Sequence, residues 1–205
     1  MKVLLIRHTD QKGPVDDQGR RLVSLPDSPL SKLGEKQAHA LAKELVKNSI
    51  VPDALYVSPY LRTTQTARIL QEDLGIADLE TVRDLREVDP NESDGHTLDE
   101  LNSVGSDVYA HPFGPTQETL EHLIDRERVA FEHIQSVAKR NGFGAIAIVS
   151  HGDPLCALYW VLRNDGIPNS YAQMQKDYYP KKGEALEFIY ENGAIKGEAK
   201  RIATE

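Results

Sequence analysis

Cysteine is almost absent from this sequence, since Cys156 is the only one in 205 residues. A single cysteine excludes a disulfide framework within the chain and a metal site built from thiolates. Its neighbours Leu155, Ala157 and Leu158 are apolar. We therefore expect its thiol to be a small buried group rather than a nucleophile.

Long apolar runs are also missing. No stretch approaches the roughly 20 consecutive apolar residues that a membrane-spanning helix needs. The apolar run near the N-terminus lacks the length and the cleavage site of a signal peptide. We therefore expect a cytoplasmic protein that has no contact with a membrane.

The chain has no basic stripe. It carries 24 Lys and Arg against 32 Asp and Glu, a formal net charge of −8, and the acidic residues are spread along the sequence. This balance argues against binding to nucleic acid or to an anionic membrane surface. Any anion that the protein binds must be held by a local basic pocket against the field of the whole chain.

The apolar pattern predicts alternating strands and helices in a single domain, 1–205. The unbroken apolar runs 3–6 and 145–150 are typical of strands buried on both faces, as in a parallel sheet. We expect a three-layer α/β fold, with a mostly parallel central sheet and helices on both faces. Shorter patterns predict strands over 53–58, 79–82 and 184–190, the last continued by a hairpin, and helices capped by Ser31, Ser58, Thr116 and Asp153.

Basic side chains follow three of these strands. Arg7 and His8 follow the first strand, Arg62 lies in the first turn of a helix, and His151 follows the strand 145–150. The carboxyl ends of parallel strands lie along one edge of a sheet, where open α/β proteins bind ligands. Two guanidinium groups and free backbone N–H groups suit the oxygens of a phosphate. The pattern predicts an anion site, although each basic residue could instead pair with a separate carboxylate.

Two histidines near one sheet edge could also indicate a metal. Zinc normally takes three protein ligands, and the flanking Arg7 and Arg62 would repel a cation. The sequence has no His-x-x-x-His motif and no cysteine pair to support such a site. We therefore expect no metal and no other cofactor.

Two segments are predicted to lie outside the regular layers. The stretch of about 85–116 has only a short helical pattern, and we expect this insertion to cover the site and shape the choice of ligand. The polar segment from Tyr171 to Pro180 fits a lid, a dimer contact or plain surface equally well. A homodimer therefore stays open beside a monomer.

Several segments, taken in order, resemble the histidine phosphatase superfamily in its phosphoglycerate mutase-like branch 1. Arg-His alone is a weak signal, but the ordered set spans about residues 1–190. The matching segments are Leu5–His8, Ser58–Pro59 with Arg62 to Ala67, Leu85–Glu87, Glu118–Thr119 and Val149–Gly152.

The resemblance implies a metal-free phosphoryl transfer on a small-molecule phosphoester. His8 would attack phosphorus and become phosphohistidine, because neutral imidazole is abundant near pH 7. Glu87 would protonate the leaving alcohol and then deprotonate the attacking water. Alternatively, Glu87 is a surface carboxylate paired with Arg83 or Arg86. The implied phosphate-binding set is Arg7, His8, Thr9, Arg62, Gly152 and His151, with His151 as a cation.

The sequence departs from the family pattern at a few positions. Thr9 stands where glycine or alanine is common, and its hydroxyl could bond the phosphate or simply fit the turn. Asn91 and Ser93 replace a usual glycine and tryptophan. Asp153 stands where many relatives have a small or apolar residue. These differences leave the substrate class open.

Three functions fit these residues. The leading hypothesis is a phosphomonoester hydrolase that acts through phosphohistidine. A bisphosphoglycerate-dependent phosphoglycerate mutase is the first alternative, but the characteristic Arg-Arg-rich stretch is absent between Gly95 and Thr116. A phospho-ligand binding module without turnover is the second, and the complete set of basic residues with a candidate acid argues against it.

Overall fold

The computed structural model describes residues 1–23, 25–88 and 95–203. None of the helices in these ranges is long and apolar enough to cross a membrane. The strands are β1 (Lys2–Arg7), β2 (Ala54–Val57), β3 (Asp78–Thr81), β4 (Ala145–Ser150), β5 (Ala185–Glu191) and β6 (Ala194–Ile202). The α-helices are α1 (Lys32–Lys47), α2 (Leu61–Leu74), α3 (Leu98–Ser103), α4 (Leu120–Asn141), α5 (Gly152–Arg163) and α6 (Tyr171–Gln175).

The strands form one sheet in the order β3-β2-β4-β1-β5-β6. The pairs β3–β2, β2–β4 and β4–β1 are parallel, whereas β5 and β6 add an antiparallel edge. The mostly parallel α/β sheet predicted from the sequence is confirmed. Because β1, β2 and β4 are parallel neighbours, their carboxyl ends lie side by side.

The two faces of the sheet are covered by different helices. Along β1, Val3 and Leu5 point to one face, and Leu4 and Ile6 point to the other, as the period of two in a strand requires. The first pair packs with side chains of α4 and α5, and the second pair packs with side chains of α1 and α2. Burial on both faces explains why β1 and β4 are apolar throughout.

A third apolar cluster packs the segments around Val88, Val108 and Tyr171 against α4 and α5. Cys156 lies in this cluster, and its thiol is 2.8 Å from the carbonyl oxygen of Tyr178. Burial raises the pKa of this thiol, so the prediction of an inert buried cysteine is confirmed. The other buried members are Val88, Val108, Leu123, Ile124, Ala157, Trp160, Tyr171 and Met174.

Helix starts were the least accurate predictions. Ser31 does cap α1, since its hydroxyl accepts the N–H of Gly34. However, Ser58 does not cap α2, which begins at Leu61 after Tyr60. Likewise, α4 starts at Leu120, where Thr119 rather than Thr116 is the cap.

The predicted start of α5, with Asp153 as its cap, was also wrong. His151 occupies the N-cap position, so the helix starts two residues earlier than a cap at Asp153 would allow. Asp153 therefore lies inside the first turn, with its carboxylate free to bind other side chains. The departures at Asn91 and Ser93 lie outside the described residues.

Candidate active site

His8 lies at the carboxyl end of β1 and is almost completely buried. Its N–H donates to the carbonyl of Ser150 at 3.0 Å, which extends the pairing of β1 with β4. Its ring Nδ1 is 2.7 Å from the carbonyl oxygen of Thr9. A carbonyl only accepts, so Nδ1 carries the proton and Nε2 keeps its lone pair. The nucleophilic nitrogen is therefore Nε2.

Arg62 lies beside this nitrogen. It is in the first turn of α2, and its Nε is 3.3 Å from Nε2 of His8. A second guanidinium nitrogen, Nη1, donates to the carbonyl of Leu25 at 2.9 Å. The side chain is thus held at the positive end of the α2 dipole, and no carboxylate of the residues described by the structure pairs with it. An anion would stabilise this placement.

Arg7 is the last residue of β1, and the segment that precedes β5 holds its side chain. Its Nη1 donates to the carbonyl of Pro180 at 2.9 Å. Its Nε is buried and has no hydrogen-bond partner within the described residues. Gly152 makes room for this guanidinium, because a Cβ there would lie 3.3 Å from Cζ of Arg7 and 2.4 Å from Oη of Tyr179.

His151 is fully buried, and its ring centroid is 5.3 Å from that of His8. Its Nε2 is 2.7 Å from the hydroxyl oxygen of Ser58. In the part of the chain that the structure describes, its Nδ1 has no hydrogen-bond partner, although a carboxylate oxygen of Glu87 is 3.8 Å away. Buried polar groups nearly always have partners. An anion would provide the partner that Nδ1 of His151 and Nε of Arg7 lack within the described residues.

The surroundings of both imidazoles favour their neutral form. Burial, followed by the charges of Arg62 and Arg7, lowers the pKa of His8 well below its usual value. Burial, then Arg62, lowers the pKa of His151 in the same direction. A neutral His8 suits nucleophilic attack. The cationic His151 implied by the resemblance is not favoured here, because burial and the arginines penalise a further positive charge.

Glu87 lies across the cavity from the arginines. Its carboxylate accepts the N–H of Val88 at 3.1 Å, and the side chain is 28% exposed. Burial, then the charge of Asp153, raises the pKa of Glu87 to about 7, against the opposing effect of Arg62. Arg86, which could have neutralised Glu87, instead pairs with Asp84. Glu87 can therefore either donate or accept a proton near neutral pH.

The loop before Glu87 is anchored from two sides. The hydroxyl of Ser150 donates to the carbonyl of Leu85 at 2.6 Å. Arg126 on α4 donates to the carbonyl of Asp84 at 2.6 Å and forms a bidentate ion pair with the buried Glu118. This network fixes the position of Glu87 relative to β4. No pattern in the sequence indicated the role of Arg126.

Thr9 does not point to the anion site. Its hydroxyl is 3.3 Å from that of Thr66, and its N–H also donates to Thr66. Thr9 is completely buried against α2. Of its two predicted roles, fitting the turn is the one that these contacts support, and its part in phosphate binding stays a prediction.

The side chains enclose a cavity of about 250 Å³. Arg7, His8, Arg62 and Glu87 line one part of it. No cluster of His, Cys, Asp or Glu within the described ranges could hold a metal ion. The remaining lining residues are Gln11, Val23, Val88, Leu98, Leu101, Ser106, Val108, Phe113, Gln117, Asp153, Tyr171 and Tyr179.

Sequence reasoning missed the part of this cavity around Asp153. Tyr109, Tyr171 and Tyr179 each donate a hydroxyl hydrogen bond to its carboxylate, at 2.9, 3.0 and 3.0 Å. The segment from Tyr171 to Pro180 therefore supplies a wall of the cavity, in addition to the carbonyl that holds Arg7. The unusual Asp153 after His151-Gly152 was the one signal in the sequence for this part of the cavity. The spacing of the tyrosines in the sequence did not show that three of them bind its carboxylate.

Comparison with known proteins finds one matching family and similar proteins named as phosphatases. Residues 3–178 match the family described as the histidine phosphatase superfamily (branch 1). The chain is 32% identical over 180 residues to "Putative phosphoserine phosphatase 2" of Hydrogenobacter thermophilus, which covers 82% of this chain and 81% of the relative.

Solved structures agree on the fold. YhfR of Bacillus stearothermophilus superposes with a TM-score of 0.72 at 24% identity, over 95% of this chain and 94% of the other. The alpha-ribazole phosphatase of Shigella flexneri also gives a TM-score of 0.72, at 19% identity, over 100% and 96% of the two chains. At these identities the likeness concerns the fold alone.

Proposed function

Because the chain belongs to branch 1 of the histidine phosphatase superfamily, we propose that it hydrolyses phosphomonoesters through a phosphohistidine at His8. The observation that carries the proposal is the state of the His8 ring. Its Nδ1 is committed to the Thr9 carbonyl, and its unprotonated Nε2 lies 3.3 Å from the Arg62 guanidinium. A nucleophile and an anion-binding group thus lie side by side.

In the first step, Nε2 of His8 attacks phosphorus and the bond from phosphorus to the ester oxygen breaks. Arg7, Arg62 and Nδ1 of His151 hold the non-bridging oxygens, where charge accumulates in the transition state. Glu87 gives its proton to the leaving alkoxide, so the alcohol departs neutral.

In the second step, water attacks the phosphohistidine. Glu87, now ionised, takes a proton from this water, and the bond between phosphorus and Nε2 breaks. Inorganic phosphate and neutral His8 are released. The two steps balance without a metal or another cofactor, and the cofactor-free activity expected from the sequence stays a prediction.

Trapping the intermediate tests this proposal. The enzyme is mixed with ³²P-labelled phosphomonoester in EDTA and quenched in alkali, where phosphohistidine survives. We expect label on the peptide that contains His8 and none in His8→Ala. His39→Ala is a matched control, because His39 is half-exposed and pairs only with Asp73 in the structure.

Two results would contradict the proposal. Label on a different residue would assign the nucleophile elsewhere. Absence of hydrolysis above the His8→Ala level, across a broad panel of phosphoesters at pH 5 to 8, would favour a binding module. Formation of 2-phosphoglycerate from 3-phosphoglycerate and bisphosphoglycerate, rather than free phosphate, would favour the mutase. The cytoplasmic location and the homodimer stay predictions.

A further inference from the structure

The cavity is lined by chemically different groups. Among the residues that the structure describes, Arg7 and Arg62 are the only Lys or Arg side chains that line it. Residue 24 and residues 89–94 include no Lys or Arg in the sequence either. Away from the two arginines, His8 and Glu87, the lining is mainly apolar and consists of Val23, Val88, Leu98, Leu101, Val108 and Phe113. We call this apolar lining, together with Asp153, the leaving-group half.

Asp153 places a carboxylate in the leaving-group half. Its side chain lies in the first turn of α5 and is buried. Three tyrosine hydroxyls from separate parts of the chain donate to its two oxygens. Burial raises the pKa of Asp153, and these three hydrogen bonds, followed by the charge of Arg7, oppose the rise and favour the ionised form. No Lys or Arg in the described chain forms an ion pair with Asp153.

We propose that this half of the cavity selects phosphomonoesters whose alcohol portion carries no second anion, with Asp153 as the residue that determines this specificity. The inference rests on the proposed phosphatase function. The favoured alcohol portion is apolar, aromatic or positively charged. The disfavoured substrates carry a carboxylate or a further phosphate close to the ester oxygen.

The physical reason is the environment that a second anion would enter. It would lose its hydration against aliphatic side chains, and the two lining cations, Arg7 and Arg62, already hold the phosphate of the ester in the proposed mechanism. It would also meet the charge of Asp153, and that of Glu87 whenever Glu87 is ionised. Such an uncompensated repulsion is how sites reject a near-identical ligand. Although one relative is named as a phosphoserine phosphatase, this wall disfavours the carboxylate of phosphoserine.

Matched substrates test the proposal without any mutation. O-Phosphoethanolamine is O-phosphoserine without its carboxylate, and phenyl phosphate differs from 4-carboxyphenyl phosphate in the same way. We expect kcat/KM to be at least about tenfold higher for the substrate that lacks the carboxylate in each pair, since a charge in a poorly solvated site interacts strongly. Equal or higher values for the carboxylates would overturn the inference.

Two variants locate the cause. Asp153→Asn keeps hydrogen-bonding capacity but removes the charge. Leu101→Lys places a cation on the half-buried α3 side of the same wall. We expect each variant to reduce the preference to within about threefold, by raising kcat/KM for the carboxylate substrate. Melting temperatures check that both variants fold, and a preference unchanged in folded Leu101→Lys would overturn the assignment.

The two proposals fail in different ways. If none of the four substrates is hydrolysed above the His8→Ala level, the proposed phosphatase function fails. If hydrolysis proceeds and the carboxylate has no effect on kcat/KM, only the specificity inference fails.

Discussion

At the scale of single residues, two carboxyl groups share one cavity and differ in what surrounds them. Asp153 accepts three tyrosine hydroxyl bonds, whereas the carboxylate of Glu87 accepts one backbone N–H. Burial raises the pKa of both groups, but three hydrogen bonds oppose the rise at Asp153 and one opposes it at Glu87. We therefore expect the negative charge on Asp153 and the proton on Glu87. The charge of one residue thereby sets the protonation of the other, a common arrangement in acid–base catalysis.

This arrangement predicts a specific pH profile. Glu87 must be protonated to donate to the leaving group, so kcat/KM for an alkyl phosphomonoester should fall as pH rises through the pKa of Glu87, which is raised to about 7. Removing the charge of Asp153 in Asp153→Asn lowers the pKa of Glu87, which Arg62 and Arg7 already lower. The alkaline limb should therefore move about one pH unit lower.

Steady-state kinetics from pH 5 to 9 measure the position of this limb. Glu87→Gln serves as the control, because it should remove both the limb and most of the activity. An alkaline limb at the same pH in Asp153→Asn and in the unaltered protein would show that the two carboxyl groups are not coupled.

Gly152 provides a second test at a single position. A Cβ there would come within 2.4 Å of the Tyr179 hydroxyl and 3.3 Å of the Arg7 guanidinium. Since even small displacements of catalytic groups cost rate, Gly152→Ala should lower kcat/KM by roughly a hundredfold. Gly144→Ala is the matched control, because its Cβ would meet only Asp53, at 3.8 Å. Similar activity losses in both variants would contradict the close-approach argument.

At the scale of secondary-structure elements, α4 holds the loop that carries Glu87. Arg126 bridges the buried Glu118 and Glu127 and donates to the carbonyl of Asp84. Arg126→Met should therefore remove the ion-pair partner of the fully buried Glu127 and leave Glu118 paired with His122 alone among the described residues. We expect the free energy of unfolding to fall by about 3–5 kcal/mol.

Urea denaturation of a matched pair measures this effect. Arg128→Met is the control, because Arg128 and its partner Asp125 are both exposed, and exposed ion pairs contribute about 0–1 kcal/mol. Equal losses in the two variants would mean that the buried network does not stabilise the loop.

The secondary-structure elements also show which features could be predicted from the sequence and which could not. Buried strands are apolar throughout, so β1 and β4 could be predicted, and parallel pairing then placed Arg7, His8 and His151 at one edge. Helix starts could not be predicted as well, because Ser58 and Asp153 have capping chemistry but are used for a histidine and three tyrosines instead. A local pattern cannot show that a side chain has a competing partner 18 to 93 residues away.

At the scale of the whole molecule, the candidate anion site joins elements that are distant in sequence. Arg7 and His8 come from β1, Arg62 from α2 and His151 from the start of α5. The protein carries a net charge of −8, yet this site collects positive charge, and within the described ranges Arg62 forms no ion pair with a carboxylate. A buried, unpaired guanidinium lowers the stability of the fold. An anion that neutralises it should therefore stabilise the whole domain.

Thermal unfolding with inorganic phosphate measures this linkage. At about 100 times its Kd, phosphate should add about 2.7 kcal/mol of stability, which raises the Tm of a chain of this size by about 5–10 °C. In phosphate-free buffer, Arg62→Ala should melt no lower than the unaltered protein, because it removes a buried charge, and it should lose most of the phosphate-dependent rise. Potassium chloride at equal ionic strength controls for screening. If Arg62→Ala kept the full rise in Tm, phosphate would be bound elsewhere and Arg62 would have no part in holding it.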